Sequence, residues 1–187
     1  MKSCKVSLAV IAVIAIASST AMAQSKSKDE SMYVELGYLN ATYSDKYGNT
    51  NYTWSGIGAY RIVIGVDLAD SFAMEGMYAS GISDGSLTIS RTNTTIGLNP
   101  SYGLYIKPKL NLNDNAALFA RAGFFNTKGT LTYSGYSAQD NYSSFSYGLG
   151  ASFNINKKIS LNADYMVYYN SDSIPINGMT VGIGYRF

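Results

Sequence analysis

Residues 179–187 read MTVGIGYRF, in which a large apolar or aromatic side chain recurs at every second position. These side chains belong to Met179, Val181, Ile183, Tyr185 and Phe187. Successive side chains of a β-strand point to opposite sides, so a period of two residues is typical of a strand with one apolar face. The segment therefore predicts a strand whose two faces have different surroundings.

Seven further segments show the same alternation, which brings the predicted strands to eight. They cover residues 32–38, 60–66, 72–78, 104–107, 118–124, 147–153 and 159–167. No comparably long stretch carries an apolar stripe at the 3.6-residue period of a helix. The pattern predicts an all-β fold over residues 32–187.

The connections between the predicted strands are of two kinds. Three are short and cover residues 67–71, 112–115 and 154–158; four are long and polar and cover residues 44–53, 80–96, 126–141 and 170–178. Neighbouring antiparallel strands run in opposite directions, so all short connections lie at one end of the sheet and all long ones at the other. Pro100 disturbs the fourth strand, because proline in a sheet requires an edge or a bulge.

The two faces of the strands differ in charge. One face is almost free of ionisable groups, and the other carries Glu35, Arg61, Glu75, Lys107, Arg121 and Asp164. A soluble lipid-carrying barrel also alternates, but its apolar face points inward around the ligand. A charge-free outer face fits contact with lipid, where every backbone amide needs an internal partner and the sheet must close. We predict an eight-stranded antiparallel up-and-down transmembrane β-barrel.

The first 23 residues have the features of a secretory signal peptide. Lys2 and Lys5 precede the apolar run of residues 8–17, and Ala21-Met22-Ala23 supplies a small-x-small cleavage site. We predict cleavage after Ala23 and a short polar periplasmic tail over residues 24–31. Removal of the two lysines takes the 14 basic residues to 12, against 12 acidic ones, so the mature chain has no net charge.

The composition argues against several classes of function. The 187-residue chain has no histidine and one cysteine, Cys4, which lies in the predicted leader. Without histidine and with no thiol in the mature part, a metal site and the usual acid–base chemistry are not expected. The balanced charge argues against nucleic acid as a partner. We predict no catalytic residue, no metal and no cofactor.

The six charged residues of the inner face are the first candidate site. An eight-stranded barrel is just wide enough for side chains to fill, and charges there must pair. One interpretation is a structural plug of salt bridges. The other is a gated narrow path for ions.

Aromatic residues and loop residues are further candidates. Tyr and Trp favour the headgroup layer of a membrane, and six aromatics are predicted at the two interfaces: Tyr33, Trp54, Phe72, Tyr102, Phe153 and Tyr169. A stacking platform for a sugar is the alternative. The long connections are rich in Tyr, Ser, Asn, Thr and Gly, a composition that also occurs in binding loops; adhesion and plain solvated connection both fit it.

The alternating strands, the leader and the segment 179–187 together resemble the small OmpA/OmpX-type outer-membrane β-barrel family. The resemblance implies an outer-membrane protein of the Gram-negative envelope, surrounded by lipid and lipopolysaccharide, with both termini in the periplasm. It implies that Val181, Ile183, Tyr185 and Phe187 form a signal for the barrel-assembly machinery. The expected role is membrane-structural or surface interaction with an extracellular ligand through four loops, without catalysis; a narrow porin-like channel is the alternative.

Overall fold

The computed structural model describes residues 32–47, 50–89, 92–133, 136–170 and 174–187. The predicted leader and polar tail, residues 1–31, lie outside the described residues. The described residues form ten strands: β1 Met32–Tyr47, β2 Thr50–Ala69, β3 Phe72–Ser83, β4 Gly85–Ile89, β5 Thr92–Leu98, β6 Ser101–Asn111, β7 Ala116–Tyr133, β8 Tyr136–Asn154, β9 Ile159–Asn170 and β10 Pro175–Arg186. Within these ranges, no helix has the length and apolar character needed to cross a membrane.

Eight of the strands form a closed antiparallel ring. β1 pairs with both β2 and β10, and the ring continues through β3, β6, β7, β8 and β9. The pairing of β7 with β8 runs from Ala116↔Phe153 to Tyr133↔Tyr136. The predicted eight-stranded barrel is therefore confirmed. β4 and β5 form an additional hairpin, which pairs through β5 with the far half of β7.

The short-turn end holds three tight connections. In the turn 112–115, the side-chain oxygen of Asn113 accepts hydrogen bonds from the amides of Asn115 and Ala116, at 2.9 and 2.8 Å. Asn156 does the same in the turn 155–158. Asparagine stabilises a turn in this way because its side chain replaces a backbone acceptor. The described chain also starts and ends here, where the Phe187 amide donates to the Met32 carbonyl at 3.0 Å.

The long-hairpin end departs from the predicted loops, because most of those residues are in strands. β1 and β2 continue to Tyr47 and Thr50, and β4 and β5 occupy most of the connection after β3. Asn99 and Pro100 separate β5 from β6. The strand is interrupted here because proline has no amide hydrogen to donate to a neighbouring strand. The Asn99 amide still donates to the Lys128 carbonyl at 3.0 Å, which keeps the two halves aligned.

The apolar face of the ring points outward, as the alternation predicts. Leu149 and Ile183 expose 71% and 57% of their surface, whereas Glu75 and Arg121 expose 3% and 2%. On β8 the outward apolar positions run from residue 145 to residue 153, which we take as its membrane-spanning part. At the upper edge of this band, four tyrosines lie on adjacent strands: Tyr38, Tyr60, Tyr78 and Tyr102.

Candidate functional site

The six predicted charged residues meet in one layer inside the barrel. They come from six different strands, β1, β2, β3, β6, β7 and β9, and none is more than 5% exposed. The layer holds three acids and three bases, so its formal charge is zero. Charges excluded from water are stable only when they are paired, and every member of this layer is.

Arg121 lies at the centre of the charged layer and contacts all three carboxylates. Its Nε donates to Glu75 Oε2 at 2.5 Å, its Nη1 to Asp164 Oδ2 at 2.5 Å and its Nη2 to Glu35 Oε2 at 2.6 Å. The planar guanidinium presents donors in several directions, which a lysine ammonium cannot match at one site. The arginine therefore joins three strands of the ring to β7.

The two other bases complete the layer on either side. Lys107 Nζ lies 2.7 Å from Glu35 Oε1 and 2.9 Å from Glu75 Oε1. Arg61 forms a two-point contact with Asp164, of which the Nη1–Oδ1 distance is 2.8 Å, and also donates to the Tyr168 hydroxyl at 3.1 Å. Glu75 also accepts from the Tyr33 hydroxyl at 2.6 Å.

Small residues make room for this layer. Among the described strands of the ring, β8 and β10 contribute none of the six charges, and β8 presents Gly148 and Gly150 opposite β7. A Cβ at Gly150 would overlap the ring of Phe119. That ring lies 4.4 Å from Lys107 Nζ and 4.7 Å from the Arg121 guanidinium, measured to its centroid. The glycine thus allows an aromatic face to cover two of the cations.

Beyond the charged layer, toward the long-hairpin end, the interior becomes apolar. The buried cluster there comprises Leu39, Ala41, Tyr43, Trp54, Ile57, Ala59, Val63, Met77, Ile96, Tyr105, Phe125, Met166, Tyr168 and Ile176. Trp54 is held by a hydrogen bond from Nε1 to the Thr94 carbonyl at 3.2 Å, which joins β2 to the additional hairpin. The apolar cluster extends from the level of the charged layer, where Val63 pairs with Glu35 and Tyr105 with Glu75, to the long-hairpin end.

Three of the six predicted interface aromatics face inward, so the prediction is wrong for them. Tyr33 is 6% exposed and belongs to the charged layer, and Trp54 is 4% exposed within the apolar cluster. Tyr169 packs against that cluster and lies 5.2 Å from Tyr142, centroid to centroid. The other three, Phe72, Tyr102 and Phe153, lie on the outward face.

Irregular pairing explains two of these corrections. Opposite the step from Ala41 to Tyr43, β2 inserts one extra residue between Ile57 and Trp54, and Gly56 there has a φ of 76°. A bulge of this kind favours glycine. The extra residue also switches the inward-facing positions of β2 from odd numbers, such as Ile57, to even numbers, such as Trp54. A second shift between Ile176 and Asn177 does the same for Tyr169. Tyr33 faces inward without any irregularity, because it lies two residues before Glu35 on the same face of β1.

The sequence reasoning missed an ion cluster at the short-turn end. Asp67 contacts Lys109 Nζ at 2.7 Å and also pairs with Arg186. These groups are partly exposed, so water screens them more than the buried layer. Their positions on β2, β6 and β10, all near strand ends, are the signal that could have indicated a rim cluster.

Two cavities lie on opposite sides of the filled interior. One, of about 90 Å³, opens at the short-turn end and is lined by residues that include Lys107, Lys109 and Arg186. The other, of about 180 Å³, lies at the long-hairpin end among Tyr43, Ile57, Asp140 and Tyr142. The two cavities have no lining residue in common. In the described part of the chain, no group of three acidic, histidine or cysteine side chains is arranged to hold a metal ion.

A closed antiparallel ring with an apolar outer belt and buried charges inside defines an integral β-barrel of the outer membrane. The residues of the proposed assembly signal lie on that belt, with Val181 and Phe187 exposed by 56% and 61%. The profile of the family described as "Outer membrane protein beta-barrel domain" matches residues 10–187. The chain belongs to this family, and its location is the outer membrane of the Gram-negative envelope.

The chain is similar to several known proteins. The virulence membrane protein PagC of Salmonella typhimurium is 37% identical over 95 residues, which cover 46% of this chain and 51% of that protein. The match therefore spans about half the length of this curated relative.

The solved structures that share the fold include Ail and Neisserial surface protein A. Ail, the attachment invasion locus protein of Yersinia pestis, has a TM-score of 0.61 at 16% identity and covers 86% of this chain and 100% of its own. Neisserial surface protein A has a TM-score of 0.63 at 13% identity, with coverage of 84% and 97%. Ail is also known in complex with the heparin analogue sucrose octasulfate.

Proposed function

We propose that this protein is a non-catalytic outer-membrane barrel that interacts with an extracellular ligand through the strand-extended hairpins of its long-hairpin end. The observation that carries the proposal is the filled interior. A charged layer with members no more than 5% exposed lies below an apolar cluster, so the outer hairpins are the surface left for recognition.

A narrow channel is the second candidate, and the interior argues against it. Ions would have to pass Arg121, which is bound to three carboxylates, and then the apolar cluster. Planar-bilayer recording is the test: we expect no stepwise conductance from the purified protein. Arg121→Ala should change the unfolding midpoint far more than the single-channel current. Steady channels from the wild-type protein would make the channel the better account.

The outer hairpins have features that suit recognition. They extend beyond the apolar belt as paired strands, and Tyr136 near the tip between β7 and β8 is 83% exposed. Exposed tyrosine offers a rigid contact surface beside adaptable Ser and Asn groups. The similarity to PagC, a virulence membrane protein, and to Ail, an attachment protein, supports a role in contact with host surfaces.

The chemistry of the chain supports the absence of catalysis. A catalytic serine needs a base beside it to become a strong nucleophile. Asp140 lies near Ser143 and Ser144 in sequence, but Ser144 donates to the carbonyl of Phe145 at 2.8 Å and Ser143 accepts from Asn126 at 2.5 Å. Neither serine is hydrogen-bonded to a base among the described residues.

We also propose how the chain is processed, assembled and oriented in the membrane. Residues 1–23 would be removed as a signal peptide, residues 24–31 would form a periplasmic tail, and 32–187 would form the barrel. Val181, Ile183, Tyr185 and Phe187 would be read by the barrel-assembly machinery. The short-turn end would then face the periplasm, and the outer edge of the apolar belt would contact lipopolysaccharide.

A hairpin truncation tests the recognition role. Leu131 and Ala138 are paired across β7 and β8, so replacing residues 132–137 by Asn-Gly gives a two-residue hairpin turn without disturbing the register. We expect cells that carry the truncated protein to lose most of their binding to a host cell layer. Surface amount and heat-modifiable gel mobility must match wild type. Unchanged binding would remove this hairpin from the proposal.

A further inference from the structure

The cavity at the long-hairpin end has an apolar base and an acidic mouth. Ile57 and Ile176 form part of the base and are 1% and 3% exposed. Asp45 and Asp140 line the same cavity, and Asp140 is exposed at the solvent side. The cavity therefore runs from a dry interior to a wet opening that carries two carboxylates.

Within the described ranges, no base forms an ion pair with either carboxylate at the mouth. Among the residues that the structure describes, neither Asp45 nor Asp140 forms an ion pair with Lys or Arg. Carboxylates elsewhere in the interior and at the short-turn rim are paired, as Asp67 and Asp164 show. The two carboxylates give this mouth a formal charge of −2, which favours a cation in the opening.

Aromatic rings form one wall of the cavity. Tyr43 and Tyr142 are 6.3 Å apart between centroids, and Tyr169 stands behind Tyr142 at 5.2 Å. Burial raises the pKa of the Tyr142 hydroxyl, and the charges of Asp140 and Asp45 raise it further. Tyr142 therefore stays neutral, and its ring presents an electron-rich face. Organic cations are attracted to such faces, most strongly where carboxylates are close by.

The size of the cavity limits the ligand. Its volume is about 180 Å³, and a dry apolar cavity of about 150 Å³ is known to bind benzene. We propose that this cavity binds a small amphipathic organic cation, with an apolar or aromatic body on Ile57 and Ile176 and an ammonium group between Asp45 and Asp140. The inference rests on the proposed function only for placing this end outside the cell.

Binding to the purified protein in detergent tests the site independently of adhesion. The probe is 2-phenylethylamine, with 2-phenylethanol as the neutral analogue and phenylacetate as the anion, each measured by calorimetry and by shifts of tyrosine NMR signals. An exposed ion pair contributes up to about 1 kcal/mol, which is about fivefold in affinity. With two carboxylates at the mouth, we expect the amine to bind about five- to 25-fold more tightly than the alcohol, and the anion to bind most weakly.

Variants separate the charge from the cavity. Asp140→Asn and Asp45→Asn should each reduce the preference for the amine over the alcohol several-fold. Asp114→Asn, at an exposed turn of the opposite end, is the matched control and should leave the preference unchanged. Ala138→Phe, which fills the cavity from its lining, should weaken the amine and the alcohol alike.

Two results would overturn the proposed cation site. One is equal affinity for the amine, the alcohol and the anion. The other is a preference for the amine that survives both aspartate substitutions. Gel mobility shows whether each variant is folded. If the amine binds as expected but the hairpin truncation leaves cell attachment intact, the cation site stands and the adhesion role falls.

Discussion

The two halves of the barrel interior differ in the way they are filled. Toward the short-turn end, six charged side chains form one ion-paired layer; toward the long-hairpin end, the interior is a cluster of Trp, Tyr, Ile and Met side chains. The outer surface of the barrel changes in the opposite direction, from apolar near the short-turn end to polar near the long-hairpin end. Around the charged layer the outward positions are apolar, whereas beyond the tyrosine row the outward positions of β8 include Asn141 and Ser143.

The comparison indicates that the long strands of the ring pass through lipid and continue into water. In lipid, the outside is apolar and polar groups are placed inside, where they pair. In water, the same strand hides its apolar side chains inside, as a soluble β-protein does. The bulge at Gly56 and the register shift near Ile176 lie close to this transition, and they move Trp54 and Tyr169 from the outer parity to the inner one.

Loss of the central arginine should have the largest effect. Arg121→Ala leaves Glu35 and Glu75 with one partner fewer and Asp164 with Arg61 alone. Breaking a buried ion pair costs about 3–5 kcal/mol, and we expect at least that loss in urea unfolding of the protein in lipid vesicles. Lys128→Ala removes an exposed base from the same strand and should stay within about 0.5 kcal/mol of wild type. Equal effects of the two substitutions would mean that the layer does not stabilise the barrel.

A cavity in the apolar half should be the next most costly change. Ile57 is 1% exposed, and replacing a buried isoleucine by alanine costs about 2–5 kcal/mol. We expect Ile57→Ala to lower the urea midpoint, with a loss near the lower half of that range since the cavity beside it allows some relaxation. Ile82→Ala is the control, because Ile82 is 63% exposed. A loss for Ile82→Ala as large as that for Ile57→Ala would contradict an apolar core in this half.

The rim cluster at the short-turn end should matter least. Asp67→Asn weakens contacts to Lys109 and Arg186, whose side chains are 14% and 32% exposed. We expect a loss of about 1 kcal/mol or less, declining as salt is added, because partly exposed pairs are screened. The measurement is the unfolding midpoint at low and high ionic strength. A loss that does not respond to salt would place the cluster with the buried layer instead.

The sequence predicts the ring and its charged layer because both follow from parity. Glu35, Glu75, Arg121 and Asp164 share the face opposite the apolar residues, and a closed ring of eight strands brings that face together. Tyr33 lies on the same face, and its position in the strand outweighs the preference of tyrosine for membrane interfaces.

Other features were beyond the sequence pattern. A strand period cannot show where a bulge inserts one residue, so the period places Trp54 and Tyr169 on the wrong face. The hairpin of β4 and β5 lacks an apolar alternation because it is outside lipid. The polar composition of this segment therefore predicts a loop instead of two strands. Which base contacts which acid depends on side-chain reach across the lumen, and the central position of Arg121 follows from geometry alone.

Cysteine labelling on one face of β8 tests the central claim most directly. Leu149 and Asn141 both point outward and are eight residues apart, about 26 Å along the strand at 3.3 Å per residue. With Cys4 replaced by Ser, Leu149→Cys and Asn141→Cys are placed in nanodiscs and treated with a charged, water-soluble maleimide. The account predicts rapid labelling at Asn141 and protection at Leu149, lost when the protein is unfolded. Rapid labelling at Leu149, or equal protection at Asn141, would contradict a strand that leaves the membrane between them.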